Sequence, residues 1–356
     1  MKAMILAAGV GSRLDPLTRN VPKPMVPILN QPVMEHIVRL LVKHGFTDIV
    51  CNTHYLGAQI ENYFNSGNSL GANMIFNREA ELLGTAGGLK RVAEGFDFFS
   101  DDEPFLVIGG DDLTDIDLTA MLKYHRENKA VATIGLSVVS DPSQFGVVVL
   151  EEKSENNSGK IQRFVEKPPA GTAPSNLVNT GVYLFEPQIL DLIPSATFHD
   201  FGKQVFPELL EQGKPFFGFT TDSYWRDVGN LREYRESHDD FFSGLGALTP
   251  NVPRAGENLW IGAGCAIHPT ARIEAPAIIG PRCVIGADAR ISNGCVLGER
   301  CVIGESANVS HSILWARSQV LPDTHLVRCV VGFDCHVSSN AAIFDGTIVS
   351  PHLRED

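Results

Sequence analysis

The chain has 356 residues, 42 aspartates and glutamates against 29 lysines and arginines, a formal net charge of −13, and 44% hydrophobic residues. So acidic a balance excludes the broad basic stripe that nucleic-acid binding demands, and no apolar run approaches the roughly 20 residues of a membrane span. The length exceeds that at which single cores usually stop growing, so at least two domains are expected.

The N-terminal residues 2–7 read as an apolar strand, with Met4, Ile5 and Leu6, and enter it with no signal-peptide pattern, which makes the expected compartment cytoplasmic. A glycine loop follows, and then two cations, Arg13 and Lys23. Residues 1–25 carry Lys2, Arg13, Arg19 and Lys23 against the single carboxylate of Asp15, so positive potential is local and suits a small anion. Gly9 and Gly11 allow the positive φ values that turn successive backbone N–H groups onto a phosphate. Leu6, Ala7, Ala8, Gly9, Gly11, Ser12 and Arg13 are therefore candidate nucleotide-binding residues. The pattern is neither a dinucleotide fingerprint, because Leu14 stands at the third glycine, nor a P-loop, which needs Gly-Lys-Ser/Thr.

Residues 9–18 and Pro22-Lys23-Pro24 together resemble the signature of the sugar-1-phosphate nucleotidyltransferases, G-x-G-[ST]-R-L-x-P-L-T followed by P-K-P. The resemblance implies a GT-A-like, Rossmann-like α/β domain that uses Mg²⁺ to join a nucleoside triphosphate and a sugar 1-phosphate. Helix patterns over 32–46, 57–64, 86–96 and 117–128 alternate with strand patterns over 47–52 and 104–109, as a mostly parallel sheet requires. In such sheets ligands bind beyond the carboxyl ends of the strands.

Residues 81–89, Glu-Leu-Leu-Gly-Thr-Ala-Gly-Gly-Leu, occupy the family's base-reading position, making Glu81, Gly84, Thr85 and Gly87 further nucleotide candidates. Thymidylyl and uridylyl relatives often carry a glutamine near the end of this segment; none occurs in residues 81–89, and a carboxylate suits the adjacent N–H donors of guanine. Gly-Thr-Ala-Gly is similar to the mannose-1-phosphate guanylyltransferases, so GTP and mannose 1-phosphate are the expected substrates. A similar segment in some bacterial UDP-glucose pyrophosphorylases leaves UTP and glucose 1-phosphate as the alternative.

Gly110-Asp111-Asp112 follows the 104–109 strand, and Trp225-Arg226-Asp227-Val228-Gly229 resembles the family's second metal motif. The resemblance makes Asp111 and Asp227 the Mg²⁺ ligands, while Asp112 has a capping or turn role as its simplest reading. Val165-Glu166-Lys167-Pro168 and Asn179-Thr180-Gly181 resemble the motifs that hold the sugar phosphate. Gly110, Glu166, Lys167, Asn179 and Gly181 are assigned there, with Arg13, Lys23 and Lys167 as the catalytic cations.

A helix is expected over 231–242. The catalytic domain is placed at 1–243, a linker at 244–258, and a second domain at 259–356. In that last stretch an apolar residue recurs every six positions from Ile261 through Val309. After a slip of one it continues through Leu314, Val320 and Leu326, and after another through Val331, Val337, Ile343 and Val349. A small residue stands two positions earlier, from Cys265 to Thr347, and glycine often follows. Residues two apart in a strand share a face, so this is a hexapeptide-repeat β-helix. Six of the seven cysteines fall at its small positions. With no C-x-x-C pair and an odd count, they read as buried reduced thiols.

The family implies a left-handed parallel β-helix of about five coils that assembles the chain as a homo-oligomer. His268, His311, His325, His336 and His352 are candidate acyl-transfer bases only by fold analogy. A catalytically silent nucleotide-sugar-sensing subunit is the alternative of another class; the presence of Arg13, Lys23, Asp111, Lys167 and Asp227 weighs against it.

Overall fold

Apolar residues on both sides of the strand Lys2–Ala7 place it inside a nine-stranded sheet. The computed structural model describes residues 1–96, 98–99, 101–151, 157–220 and 222–350, so His352 lies outside the described residues. Across the sheet the order is Asn73–Arg78, Asp48–Thr53, Lys2–Ala7, Phe105–Gly109, Leu177–Phe185, Ala132–Val138, Phe216–Thr220, Gly159–Glu166 and Gly146–Leu150. Leu177–Phe185 and Gly159–Glu166 run against the rest, and the first four strands are mutually parallel.

The expected helices form at Val33–Lys43, Gly57–Phe64, Gly84–Phe96 and Leu118–Glu127. Asp117 caps the last of them by accepting the Ala120 N–H at 2.9 Å, which satisfies an otherwise orphaned donor. The main core joins Met4, Val107, Ile134 and Leu136 to an aromatic group, Tyr183, Phe185, Phe201, Phe206 and Phe216. Its rings meet at 5.1–5.9 Å between centroids in the pairs Phe185–Phe201 and Phe201–Phe206.

The chain divides into two compact units. The first comprises Met1–Val10, Pro22–Pro24 and Met34–Asp227; the second comprises Gly11–Val21, Met25–Val33 and Val228–Asp356. The helix Leu231–Phe242 and most of the signature loop therefore belong to the second unit.

Within the second unit the repeats build three ladders, one of seven strands and two of five, whose repeat strands are all parallel. The prism is thus a three-sided parallel β-helix. Ile261 pairs with Ile279 and Ile279 with Leu297, coils of 18 residues. Leu297 then pairs with Leu314, Leu314 with Val331 and Val331 with Ile348, coils of 17. The shortening thus occurs three times, and it corrects the sequence register at the end: Ile348, not Val349, packs against the core, and Gly346 rather than Thr347 stands two residues before it. The glycines that follow the apolar positions are set by close approach of the next coil. A Cβ on Gly280 would lie 2.5 Å from the Gly298 carbonyl carbon, and one on Gly298 2.4 Å from the Ala316 nitrogen.

All seven cysteines are free thiols. Cys283, Cys295, Cys301, Cys329 and Cys335 are buried in the prism. The Cys295 thiol donates to the Ser292 carbonyl at 3.1 Å, and burial pushes its pKa up to about 11, so it stays protonated and unreactive. His268, His325 and His336 are exposed, while the His311 Nε2 is 2.8 Å from Asp239 Oδ1 on the Leu231–Phe242 helix. Nothing in these contacts marks an acyl-transfer site.

Candidate active site

Strand ends gather the sequence-predicted carboxylates. Gly110 follows the Phe105–Gly109 strand and lies hard against the first strand, its N–H donating to the Leu6 carbonyl at 2.9 Å. A Cβ there would stand 3.0 Å from that oxygen. Two residues on, Asp112–Thr114 forms a short antiparallel ladder with Trp225–Asp227 in which Asp227 sits opposite Asp112. This ladder brings together two motifs more than a hundred residues apart, and Lys23 joins them. Its Nζ is 2.5 Å from Asp111 Oδ2 and 3.1 Å from Asp227 Oδ1.

Lys23 is 7% exposed. Burial pulls its pKa down, but Asp111, Asp227 and Asp112 outweigh that and hold it above the ordinary lysine value. The ammonium therefore stays charged throughout the physiological range. Sequence reasoning gave Lys23 to the substrate phosphates; in this structure it bridges the two expected metal ligands. Two carboxylates converging on one cation are hard oxygen donors of the kind Mg²⁺ takes with waters and phosphate oxygens. Among the described residues no cluster of three or more metal-ligating side chains is found.

The sugar-phosphate candidates sit in the same unit. Lys167 follows the Gly159–Glu166 strand in a left-handed conformation, φ 43°, with its N–H bonded to the Phe145 carbonyl at 3.1 Å. Its ammonium is mostly exposed and 3.9 Å from Glu166 Oε1. Burial raises the Glu166 pKa above the usual carboxylate value, against the opposing charge of Lys167. Phe145 stacks edge-on against Trp225 at 5.2 Å, and the Trp225 indole donates to the Thr180 carbonyl at 3.1 Å. Asn179 donates to the Tyr183 hydroxyl and accepts from the Gly181 N–H, both at 2.9 Å. Gly181 has φ 75°, and a Cβ on it would lie 2.9 Å from Asp112 Oδ2. A continuous set of contacts thus runs from Lys167 through Phe145, Trp225, Thr180 and Gly181 to Asp112.

On the nucleotide side, Leu6 is half-buried and Ala7 and Ala8 are buried. The Ala7 N–H donates to Asn52 Oδ1 at 2.9 Å, and Asn52 Nδ2 to Glu79 Oε1 at 2.7 Å. Glu79 is 2% exposed, and a Cβ on Gly88 would stand 2.7 Å from its Oε1. The sequence reading missed this buried network; an asparagine ending one strand and a glutamate just past the next were its only signals. Glu81, which that reading preferred, is exposed. Gly84, Thr85 and Gly87 are engaged by a neighbouring segment. The Ala86 and Gly87 N–H groups both donate to the His199 carbonyl at 3.0 Å, and the Thr85 hydroxyl contacts Asp200 and accepts from the Phe201 N–H.

In the second unit, Gly11 takes the left-handed conformation expected of it, φ 71°, and precedes a 3₁₀ turn over Ser12–Leu14. Gly9 does not adopt positive φ. The Thr18 hydroxyl donates to the Gly11 carbonyl at 3.0 Å. Ser12 and Arg13 are exposed, while Arg19 forms a two-pronged pair with Asp15, both bonds 2.8 Å.

The family profile described as Nucleotidyl transferase matches residues 2–243, and that described as GMPPB C-terminal domain matches residues 255–354. The UTP–glucose-1-phosphate uridylyltransferase of Synechocystis is 43% identical over 66% of this chain and 61% of its own length. The chain thus aligns with less than two thirds of that relative. Mannose-1-phosphate guanyltransferase beta-B of Xenopus laevis is 34% identical over 77% of this chain and 73% of its own, and the mannose-1-phosphate guanylyltransferase of Mycobacterium tuberculosis is 32% identical over 76% and 72%. A solved UDP-glucose pyrophosphorylase from Acinetobacter baumanii shares the fold, with a TM-score of 0.58 and 24% identity over 68% of this chain and 93% of that one. No helix among the described residues is long and apolar enough to cross a membrane. With the signature loop, the paired aspartates and the prism all in place, the chain belongs to the nucleotidyl transferase family.

Proposed function

We propose that the protein transfers a nucleotidyl group from a nucleoside triphosphate to a sugar 1-phosphate, giving an NDP-sugar and pyrophosphate. The observation that carries this reading is the convergence of Lys23, Asp111 and Asp227. A phosphate oxygen of the sugar 1-phosphate attacks the α-phosphorus, the new P–O bond forms, and the bond to the β-phosphate oxygen breaks with its electron pair leaving on pyrophosphate. The nucleophile is already an anion, so no general base is required. Catalysis consists of holding polyanions in line and stabilising the charge on their oxygens.

Glu166 and Asn179 accept from and donate to sugar hydroxyls, and Gly181, with no side chain, lets Asp112 lie close beside this segment. Lys167 holds the attacking phosphate, and Arg13 the departing pyrophosphate. Lys23 holds Asp111 and Asp227 convergent and supplies ammonium charge for phosphate oxygens. Mg²⁺ held by the two aspartates, when bound, neutralises charge on the α-phosphate.

For the substrates we favour GTP and mannose 1-phosphate. Residues 79–89 hold no glutamine and two carboxylates, Glu79 and Glu81, and carboxylates accept from the adjacent N–H donors of guanine. The profile match over residues 255–354 supports the same reading. The 43% identity to the Synechocystis uridylyltransferase favours a second, UTP with glucose 1-phosphate. Pyrophosphate release with GTP, UTP, dTTP and ATP, each against both sugar phosphates, tests the choice. GTP with mannose 1-phosphate is expected to give the highest kcat/KM by at least about ten-fold, the discrimination that a paired hydrogen-bonding edge readily supplies. A lead for UTP with glucose 1-phosphate replaces the first reading with the second.

A further inference from the structure

The strand Asp48–Thr53 is buried at every position but its first, yet its fifth residue is an asparagine. Asn52 is 3% exposed, and an amide so deep is tolerated only when its polar atoms are bonded. Its Oδ1 accepts the Ala7 N–H at 2.9 Å, and its Nδ2 donates to Glu79 Oε1 at 2.7 Å. The parallel register sets Asn52 beside Leu6 on one side and Asn77 on the other. One side chain at the carboxyl edge of the sheet thus ties together the segments that leave two neighbouring strands.

Glu79 is held at three points. Its N–H donates to the Thr53 carbonyl at 2.8 Å, its carbonyl lies 2.9 Å from His54 Nδ1, and its carboxylate meets Asn52. A carbonyl can only accept, so His54 Nδ1 carries the proton. The helix Gly84–Phe96 closes over the pair at a glycine. A Cβ on Gly88 would stand 2.7 Å from Glu79 Oε1 and 2.9 Å from Asn52 Nδ2. All of these residues belong to the first compact unit.

We propose that Asn52 is a positioning residue for the nucleoside triphosphate: it fixes Ala7, just before the glycine loop, against Glu79, just before the base-reading segment. The separation of those two segments is then set by one buried amide. This deepens the proposed function and rests on it, since it takes residues 6–9 and 79–88 as the triphosphate's part of the site. Asn52 acts through the two segments and touches no substrate. An amide accepts from an N–H with one atom and donates to a carboxylate with another. Aspartate in its place keeps the acceptor for Ala7 but turns a second carboxylate onto Glu79.

The test is steady-state kinetics on the full chain, with the triphosphate and sugar 1-phosphate that the wild type turns over best. Asn52→Asp is expected to raise the triphosphate KM about ten-fold, because a buried carboxylate loses its donor and meets a like charge. The sugar-phosphate KM is expected to stay within about two-fold, since Asn52 bonds to neither Glu166 nor Asn179. A residue that only stabilised the fold would lower the active fraction, and so kcat, without moving the triphosphate KM alone. In a Glu79→Gln background, Asn52→Asp is expected to raise that KM less than about two-fold, because the new amide donates to the new carboxylate and the bond returns with its polarity reversed. Equal rises in both backgrounds mean that Asn52 acts without Glu79 and overturn the proposal. So do equal rises in the two KM values, or an unchanged triphosphate KM. Should Asn52→Asp not fold, Gly88→Ala sets a methyl against the same pair in a helix that favours alanine. It is expected to raise the triphosphate KM alone, by at least about three-fold; no such rise overturns the proposal. A wild type inactive toward every substrate pair overturns the functional reading, and this inference with it.

Discussion

Replacing Asp111 by asparagine is expected to lower turnover by about 10³-fold or more while the protein still folds, since it removes one of the two carboxylates proposed to hold the cation that neutralises the reacting phosphates. Asparagine keeps the size of the side chain and one oxygen but not the charge that faces the Lys23 ammonium at 2.5 Å. The stability cost is bounded because Lys23 keeps Asp227 at 3.1 Å and the nearby charge of Asp112. We expect a loss of about 1–3 kcal/mol, the range for a charged hydrogen bond losing one partner. Pyrophosphate release and a thermal melt on one preparation check both halves. Near-normal release means that Asp111 is not in the transfer site. Complete unfolding means that the aspartate pair is chiefly a structural counter-ion for a buried lysine.

Arg13→Ala is expected to lower kcat/KM about 10²–10³-fold, the usual loss for a group that meets charge developing in the transition state. Its melting temperature should stay within about 1–2 °C, because exposed side chains away from the core rarely carry much stability. Arg19→Ala is the matched comparison in the same loop. Arg19 spends its guanidinium on Asp15, and that pair shifts the arginine pKa up and the aspartate pKa down. Its removal should change kcat/KM less than about three-fold, as for other exposed ion pairs. Equal losses from the two variants mean that the loop contributes general positive potential and that Arg13 has no particular place in the reaction.

Much of this was legible in the chain because local patterns specify local structure. The strand Lys2–Ala7 and the helices Gly57–Phe64 and Leu231–Phe242 lie where alternation and helical periodicity put them. The prism follows from one inward apolar and one small residue per strand. Its register at Ile348 was not legible, because Thr347, Ile348 and Val349 all suit an inward-facing strand; only the pairing of Val331 with Ile348 decides.

What the sequence conceals is pairing over distance. Nothing near Lys23 announces that its ammonium bridges Asp111 and Asp227, because that depends on the short ladder that sets Asp227 opposite Asp112. Nothing near Pro27 announces that its carbonyl accepts from the Tyr234 hydroxyl, more than two hundred residues on. Buried polar networks such as Ala7, Asn52 and Glu79 are hidden for the same reason, since a lone asparagine or glutamate looks like surface until its partners are known.

The proposed reaction leaves a sugar-phosphate oxygen bonded to the α-phosphorus. Mannose 1-phosphate labelled with ³²P, incubated with GTP, Mg²⁺ and the wild-type protein, reads this bond out. The label is predicted to appear in the nucleotide sugar, in amounts equal to the unlabelled pyrophosphate released. Label recovered as free inorganic phosphate, or none incorporated from mannose 1-phosphate or glucose 1-phosphate with any of the four triphosphates, would contradict it.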